Sequence, residues 1–108
     1  MLKAEPKVEL IYEKTCPNVG PARELLHTAL LRSGKTGDWI EWEVSNPDAP
    51  DYARNYGSPT ILIDGKDVAG EQPSENNACC RIYKTSDTAN KGIPELAVVL
   101  KALKESFS

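Results

Sequence analysis

The pattern of apolar residues along the chain predicts an α/β fold, βαβαββα, with a four-stranded mixed sheet flanked by helices. Three observations lead there. VELIYE, starting at Val8, and WIEWEV, starting at Trp39, alternate with a period of two, and the stretch between them turns to helical spacing. A hairpin signal, Asp64-Gly65, divides two short strand-like runs. The last segment opens on Pro94 and then places Leu96, Val99, Leu100, Leu103 and Phe107 on one face.

In the first strand Val8, Leu10 and Tyr12 alternate with Glu9, Ile11 and Glu13, and both faces of its first half hold apolar residues. A central strand covered on both sides has this pattern. The first helix follows from Val19, Ala22, Leu25, Leu26, Ala29 and Leu30, with Gly34 as its stop. Pro17 and Pro21 fall in or before its first turn, where a missing N–H costs little. In WIEWEV, Ile40, Trp42 and Val44 oppose Glu41 and Glu43. That suits a half-buried strand near a sheet edge, with the glutamates on a solvated face. Asn46 and Pro47 introduce a short helix, Asp48 to Tyr56, that Gly57 ends. Thr60 to Ile63 is the third strand, and Lys66 to Ala69 returns from the hairpin turn. The region 70–92 is rich in Asn, Ser, Glu and Gly and reads as a long loop. Loops of that length in a compact domain are usually functional or mobile. With no repeat, low-complexity tract or linker, residues 1–108 read as one domain.

Charge and composition narrow the function classes. Thirteen Lys and Arg against sixteen Asp and Glu leave a net charge of −3, without a long block of either sign. This balance argues against a nucleic-acid or anionic-membrane partner. No apolar run approaches the roughly 20 residues of a membrane span. MLKAEPKVEL lacks the apolar stretch of a secretion signal. The expectation is a soluble, cytoplasmic protein. A phosphate-binding loop, a Ser-His-Asp triad and a carboxylate pair have no support in the pattern, and no cofactor is expected.

The chemistry rests on three cysteines, Cys16, Cys79 and Cys80, too few and too unevenly spaced for a secreted disulfide scaffold. Cys16 stands between the first strand and the first helix. A helix N-terminus presents unpaired N–H groups and a partial positive charge, and both favour the reactive thiolate. The plainer reading is a packed core cysteine. Lys14 lies two residues upstream, where strand alternation points it either towards the sulfur or away. His27, the one histidine, is eleven residues along, about 16 Å at ~1.5 Å per residue, and cannot reach Cys16. Adjacent Cα atoms such as those of Cys79 and Cys80 lie about 3.8 Å apart, whereas ordinary disulfides want roughly 4.4–6.8 Å. The pair therefore reads as two thiols, as one partner for Cys16 and one spare, or as packing beneath the loop. Three thiols in reach would also suit a soft metal ion. Zinc has less support, since there is no Cys-x-x-Cys pair. Arg81 beside Cys80 either steadies a thiolate or an anion, or is a plain surface arginine.

With Thr15-Cys16-Pro17 at the strand–helix junction and Gly57-Ser58-Pro59-Thr60 before the third strand, the chain resembles the thioredoxin-like superfamily. The resemblance covers roughly Lys7 to Asp64 and Ile93 to Phe107. It is closer still to small bacterial thioredoxin-like proteins with four marks, here Cys16-Pro17-Asn18, Gly57 to Thr60, Cys80-Arg81-Ile82-Tyr83 and Gly92-Ile93-Pro94. Some of these are labelled alkylmercury-lyase-like, a label that would tie the chain to mercury resistance. The resemblance implies a cis Pro59 facing Cys16, with Pro17, Ser58, Pro59 and Thr60 around the substrate. It fails at Val19, which stands where a Cys-x-x-Cys motif has its second cysteine, so exchange within such a motif is closed. The activity it implies is that of a thiol–disulfide oxidoreductase. Cys16 would be the nucleophile, and Cys80 or Cys79 would resolve the mixed disulfide with a protein or small-thiol substrate. Two alternatives stay open. One is a binder of soft metals or organomercurials through Cys16, Cys79 and Cys80. The other is a redox-inactive interaction protein that holds a peptide at Ser58-Pro59.

Overall fold

The computed structural model describes residues 7–34, 39–70 and 93–106. The elements run β1 (Val8–Tyr12), α1 (Val19–Arg32), β2 (Ile40–Glu43), a 3-10 helix (Asp51–Asn55), β3 (Thr60–Ile63), β4 (Lys66–Asp67) and α2 (Leu96–Ser106). They form a mixed sheet of order β2-β1-β3-β4. β1 and β2 are parallel, as strands joined by a helical crossover must be, while β3 runs antiparallel to β1 and β4. β1 is therefore a central strand, and β2 and β4 are the edges.

Strand alternation divides the core in two. Val8 and Leu10 of β1 and Ile61 and Ile63 of β3 face α1, which buries Val19, Ala22, Leu26, Ala29 and Leu30 against them. Val99 and Leu103 of α2 join the same cluster, so both helices lie on one face of the sheet. The other face packs Ile11 and Leu62 against Ala49 and Ala53, with Trp42, Val44 and Tyr56 around them. α1 closes through Ser33 N–H to Ala29 O (3.0 Å) and Gly34 N–H to Leu31 O (3.2 Å). Gly34 takes a left-handed φ of 73° there, which glycine adopts without steric cost.

Several elements differ from the sequence expectation, each for a local reason. The short helix expected at Asp48 to Tyr56 is a 3-10 helix at Asp51–Asn55. Pro50, extended at φ −65° and ψ 154°, lacks an N–H, and the Asp48 N–H is taken by the Asn46 side chain at 2.8 Å. Only five residues then lie between Pro50 and the extended Tyr56, and Ala53 N–H closes on Pro50 O at 3.0 Å. β4 stops at Asp67 because the Asp67 carboxylate accepts the Ala69 N–H (2.9 Å), folding the chain into a turn. α2 begins after Pro94, with Val98 N–H on Glu95 O at 3.0 Å, and Phe107 lies outside the described residues. On the edge strand, Ile40 is exposed, whereas Trp42 and Val44 pack. Among the described residues no helix is long and apolar enough to cross a membrane.

Candidate functional site

β1 ends at Tyr12 and α1 begins at Val19, so Cys16 sits in the loop between them, two residues before the N-cap Asn18. The loop is turned twice. Cys16 N–H donates to Glu13 O at 2.9 Å, and Val19 N–H reaches back to Cys16 O at 3.5 Å. Asn18 makes no side-chain cap, and the first helical bond runs from Ala22 N–H to Asn18 O at 3.0 Å. Pro21 falls in the first turn, where no intrahelical N–H bond is lost. Pro17 is exposed beside the cysteine.

The thiol of Cys16 is free and the residue only 6% exposed. Its Sγ donates to the carbonyl oxygen of Ser58 at 3.7 Å. A thiolate has no proton to give, so this contact belongs to the thiol, and ionisation would release the carbonyl to another donor. Ser58 also fixes the loop from its side chain, because Oγ accepts the Glu13 N–H at 2.9 Å. One residue thus holds both the start of the loop and its sulfur. The Ser58–Pro59 peptide is cis. Ser58, Pro59 and Thr60 are all buried, and the Thr60 hydroxyl donates to Gly57 O at 2.6 Å. Of the residues singled out from sequence, the structure brings Cys16 and Ser58 into contact, with Pro17 flanking one and Pro59-Thr60 the other.

Carboxylates brace the same loop. Glu13 accepts the Thr15 N–H at 2.9 Å and the Thr15 hydroxyl. Glu43 accepts the Lys14 and Ser45 N–H groups, each at 2.9 Å, and the Ser45 hydroxyl. Hydrogen bonds from Ser45, aided by the backbone and charge of Lys14, hold Glu43 below the usual carboxylate range. Glu41 is held low first by its hydrogen bonds from Arg23, and Trp39 adds its indole N–H at 2.9 Å. The Arg23 guanidinium meets Glu41 through Nε and Nη2, both at 2.9 Å, and lies 5.2 Å from the centre of the Tyr12 ring. Both carboxylates lie on a partly exposed face, as the alternation leads one to expect. Each carboxylate has specific donors that the i, i+2 pattern does not reveal.

His27 is exposed on α1, apart from this loop. Cys79, Cys80 and Arg81 lie outside the described residues, as does almost all of the 70–92 region. Among the described residues, no three His, Cys, Asp or Glu side chains are grouped to hold a metal ion.

Sequence reasoning missed one residue of evident chemical weight. Glu9, on the central strand, is 1% exposed. Its Oε2 accepts the Trp42 indole N–H at 2.7 Å and the Tyr52 hydroxyl, and the Lys7 ammonium stands 3.8 Å away. The signal was present in the strand itself, since a glutamate within a strand covered on both faces has to be buried. Comparison with protein-family models, curated proteins and solved structures gives no match for this chain.

Proposed function

We propose that the chain is a thioredoxin-fold protein of thiol–disulfide exchange, with Cys16 as the attacking sulfur. The observation that carries this reading is the 3.7 Å contact between Cys16 Sγ and the Ser58 carbonyl, on the turn that enters β3. Cys16 packs in the apolar cluster, and its free sulfur also makes a polar contact within a loop braced on both sides, which supports this reading. The strand order β2-β1-β3-β4, with β3 reversed and two helices on one face, supports the same reading.

In the proposed reaction Cys16 loses its proton to solvent and attacks one sulfur of a substrate disulfide. A Cys16–substrate disulfide forms, the substrate S–S bond breaks, and the departing thiolate takes up a proton. Cys80, or Cys79, then attacks Cys16 Sγ, releasing the second substrate thiolate and leaving an intramolecular disulfide. The substrate is reduced, the protein is oxidised, and an external dithiol restores it. The resolving role of Cys80 or Cys79 rests on the sequence alone. With so little of Cys16 exposed, slim disulfides are favoured over bulky ones.

The test is intact-mass analysis with cystamine, a small disulfide, on the folded protein. In Cys79→Ser/Cys80→Ser a single cysteamine adduct on Cys16 is expected. In the wild type Cys16 should instead end in a disulfide with Cys80 or Cys79, two hydrogens lost and no adduct on Cys16. A double variant in which Cys16 stays unmodified while folded, yet reacts when unfolded, would overturn the reading and leave a packed cysteine.

A further inference from the structure

The sheet face away from α1 and α2 holds a cavity of about 410 Å³, between the 3-10 segment and the β3–β4 turn. Its walls are Lys7, Glu9, Tyr52, Tyr56, Leu62 and Asp64. That volume is within the roughly 300–1,000 Å³ of small-molecule sites. Leu62 and the two tyrosines supply the apolar body, and Glu9 supplies a carboxylate buried to 1% exposure.

The bonding of Glu9 defines what is missing. At hydrogen-bonding distance its donors are neutral, the Trp42 indole and the Tyr52 phenol, and both meet Oε2. Loss of water and then the bond to Glu9 push the Tyr52 phenol up to about 12, so it remains a neutral donor at physiological pH. The nearest cation among the described residues, Lys7, stands 3.8 Å from Oε2 and is more than half exposed along its side chain. Among the described residues Oε1 accepts no hydrogen bond. A buried carboxylate is costly unless a cation meets it closely. Asp64, whose carboxylate accepts the Lys7 N–H at 2.9 Å and whose own N–H donates to Lys7 O at 2.8 Å, adds a second carboxylate to the wall. Among the described lining residues, one lysine stands against two carboxylates, and aromatic rings attract cations in their own right.

We propose that this cavity binds a small organic cation, an ammonium or guanidinium group on a slim apolar body, with Glu9 as its counter-charge and Tyr52 and Tyr56 beside it. The cation approaches Oε1, while Trp42 and Tyr52 keep Oε2 oriented. Binding here is independent of Cys16, which lies beyond the opposite end of β1.

Amide and indole NMR of the full chain, titrated with benzylammonium and with neutral benzyl alcohol, tests this. Benzylammonium should saturably shift the Trp42 indole N–H and the Gly65 amide, and benzyl alcohol should shift them little. Glu9→Gln keeps the shape and removes the charge, and should weaken benzylammonium about tenfold, the difference between a charged and a neutral hydrogen bond. Should that variant not fold, Tyr56→Leu leaves Glu9 and both its donors in place and should weaken binding roughly fivefold. Equal shifts from benzyl alcohol, no saturable shift at millimolar benzylammonium, or unchanged affinity in a folded variant would each overturn the proposal.

Discussion

Arg23 on α1 and Glu41 on β2 meet through two parallel N–H···O bonds of 2.9 Å, and the indole of Trp39 donates to the same carboxylate. Both side chains are partly exposed, so the pair acts in a wet surrounding and is worth about 0.5 kcal/mol rather than several. Its contribution should follow pH in one direction. The hydrogen bonds from Arg23 lower the folded-state value of Glu41 below the ordinary 4.5, so the unfolded chain takes up its proton first as pH falls. Stability from this residue is present above 4.5 and lost as pH drops through the lowered folded value. Urea unfolding of the wild type and Glu41→Gln should therefore differ at neutral pH, with the wild type more stable. The gap should close in strongly acidic solution, because Arg23 stays charged while Glu41 becomes neutral. A gap that is constant with pH would mean the pair contributes through packing alone. Glu43 titrates with the same sign but is common to both proteins, so it cancels in the comparison.

The β3–β4 hairpin shows how an element depends on two backbone angles. Asp64 and Gly65 both have positive φ, 52° and 82°, as a type I′ turn demands. Asp64 then pairs with Lys7 in both directions, fastening the hairpin to the start of β1. A Cβ on Gly65 would meet nothing within 4 Å, so any cost of Gly65→Ala comes from the backbone and not from a clash. About 1 kcal/mol of lost stability is expected in urea unfolding. An unchanged midpoint and slope would show that the turn relaxes freely. This hairpin was legible from Asp64-Gly65 alone, as α1 was from its stripe and β1 from its two apolar faces. The 3-10 helix was not, because Pro50 cuts a window that composition alone presents as helical. Glu9 was missed because its donors, Trp42 and Tyr52, are 33 and 43 residues away and meet it only across the folded sheet. At the candidate site Cys16 and Ser58 were marked by local sequence, but the bond from Glu13 N–H to Ser58 Oγ belongs to the tertiary fold.

At the scale of the molecule, one apolar cluster ties β1, α1, β3 and α2 together, and Leu26 is wholly buried within it. Parts joined by a shared core should open together, so the interior strands and both helices ought to have one common free energy of exposure. Native-state hydrogen exchange reads this directly. The slowest amides should be those of β1 and β3, which have a strand on either side, and the edge strand β2 should exchange faster. Leu26→Ala removes buried methyl groups and leaves a cavity, which costs about 3 kcal/mol. If the described elements form one cooperative unit, the variant should speed exchange about a hundredfold at Leu10, Ile61 and Val99 alike, although only α1 has been altered. An effect confined to α1 would separate the helix from the sheet as its own unit of stability. A hundredfold effect at all three sites would instead join β1, β3, α1 and α2 in one unit, the frame between whose β1 and α1 the Cys16 loop is held by Ser58.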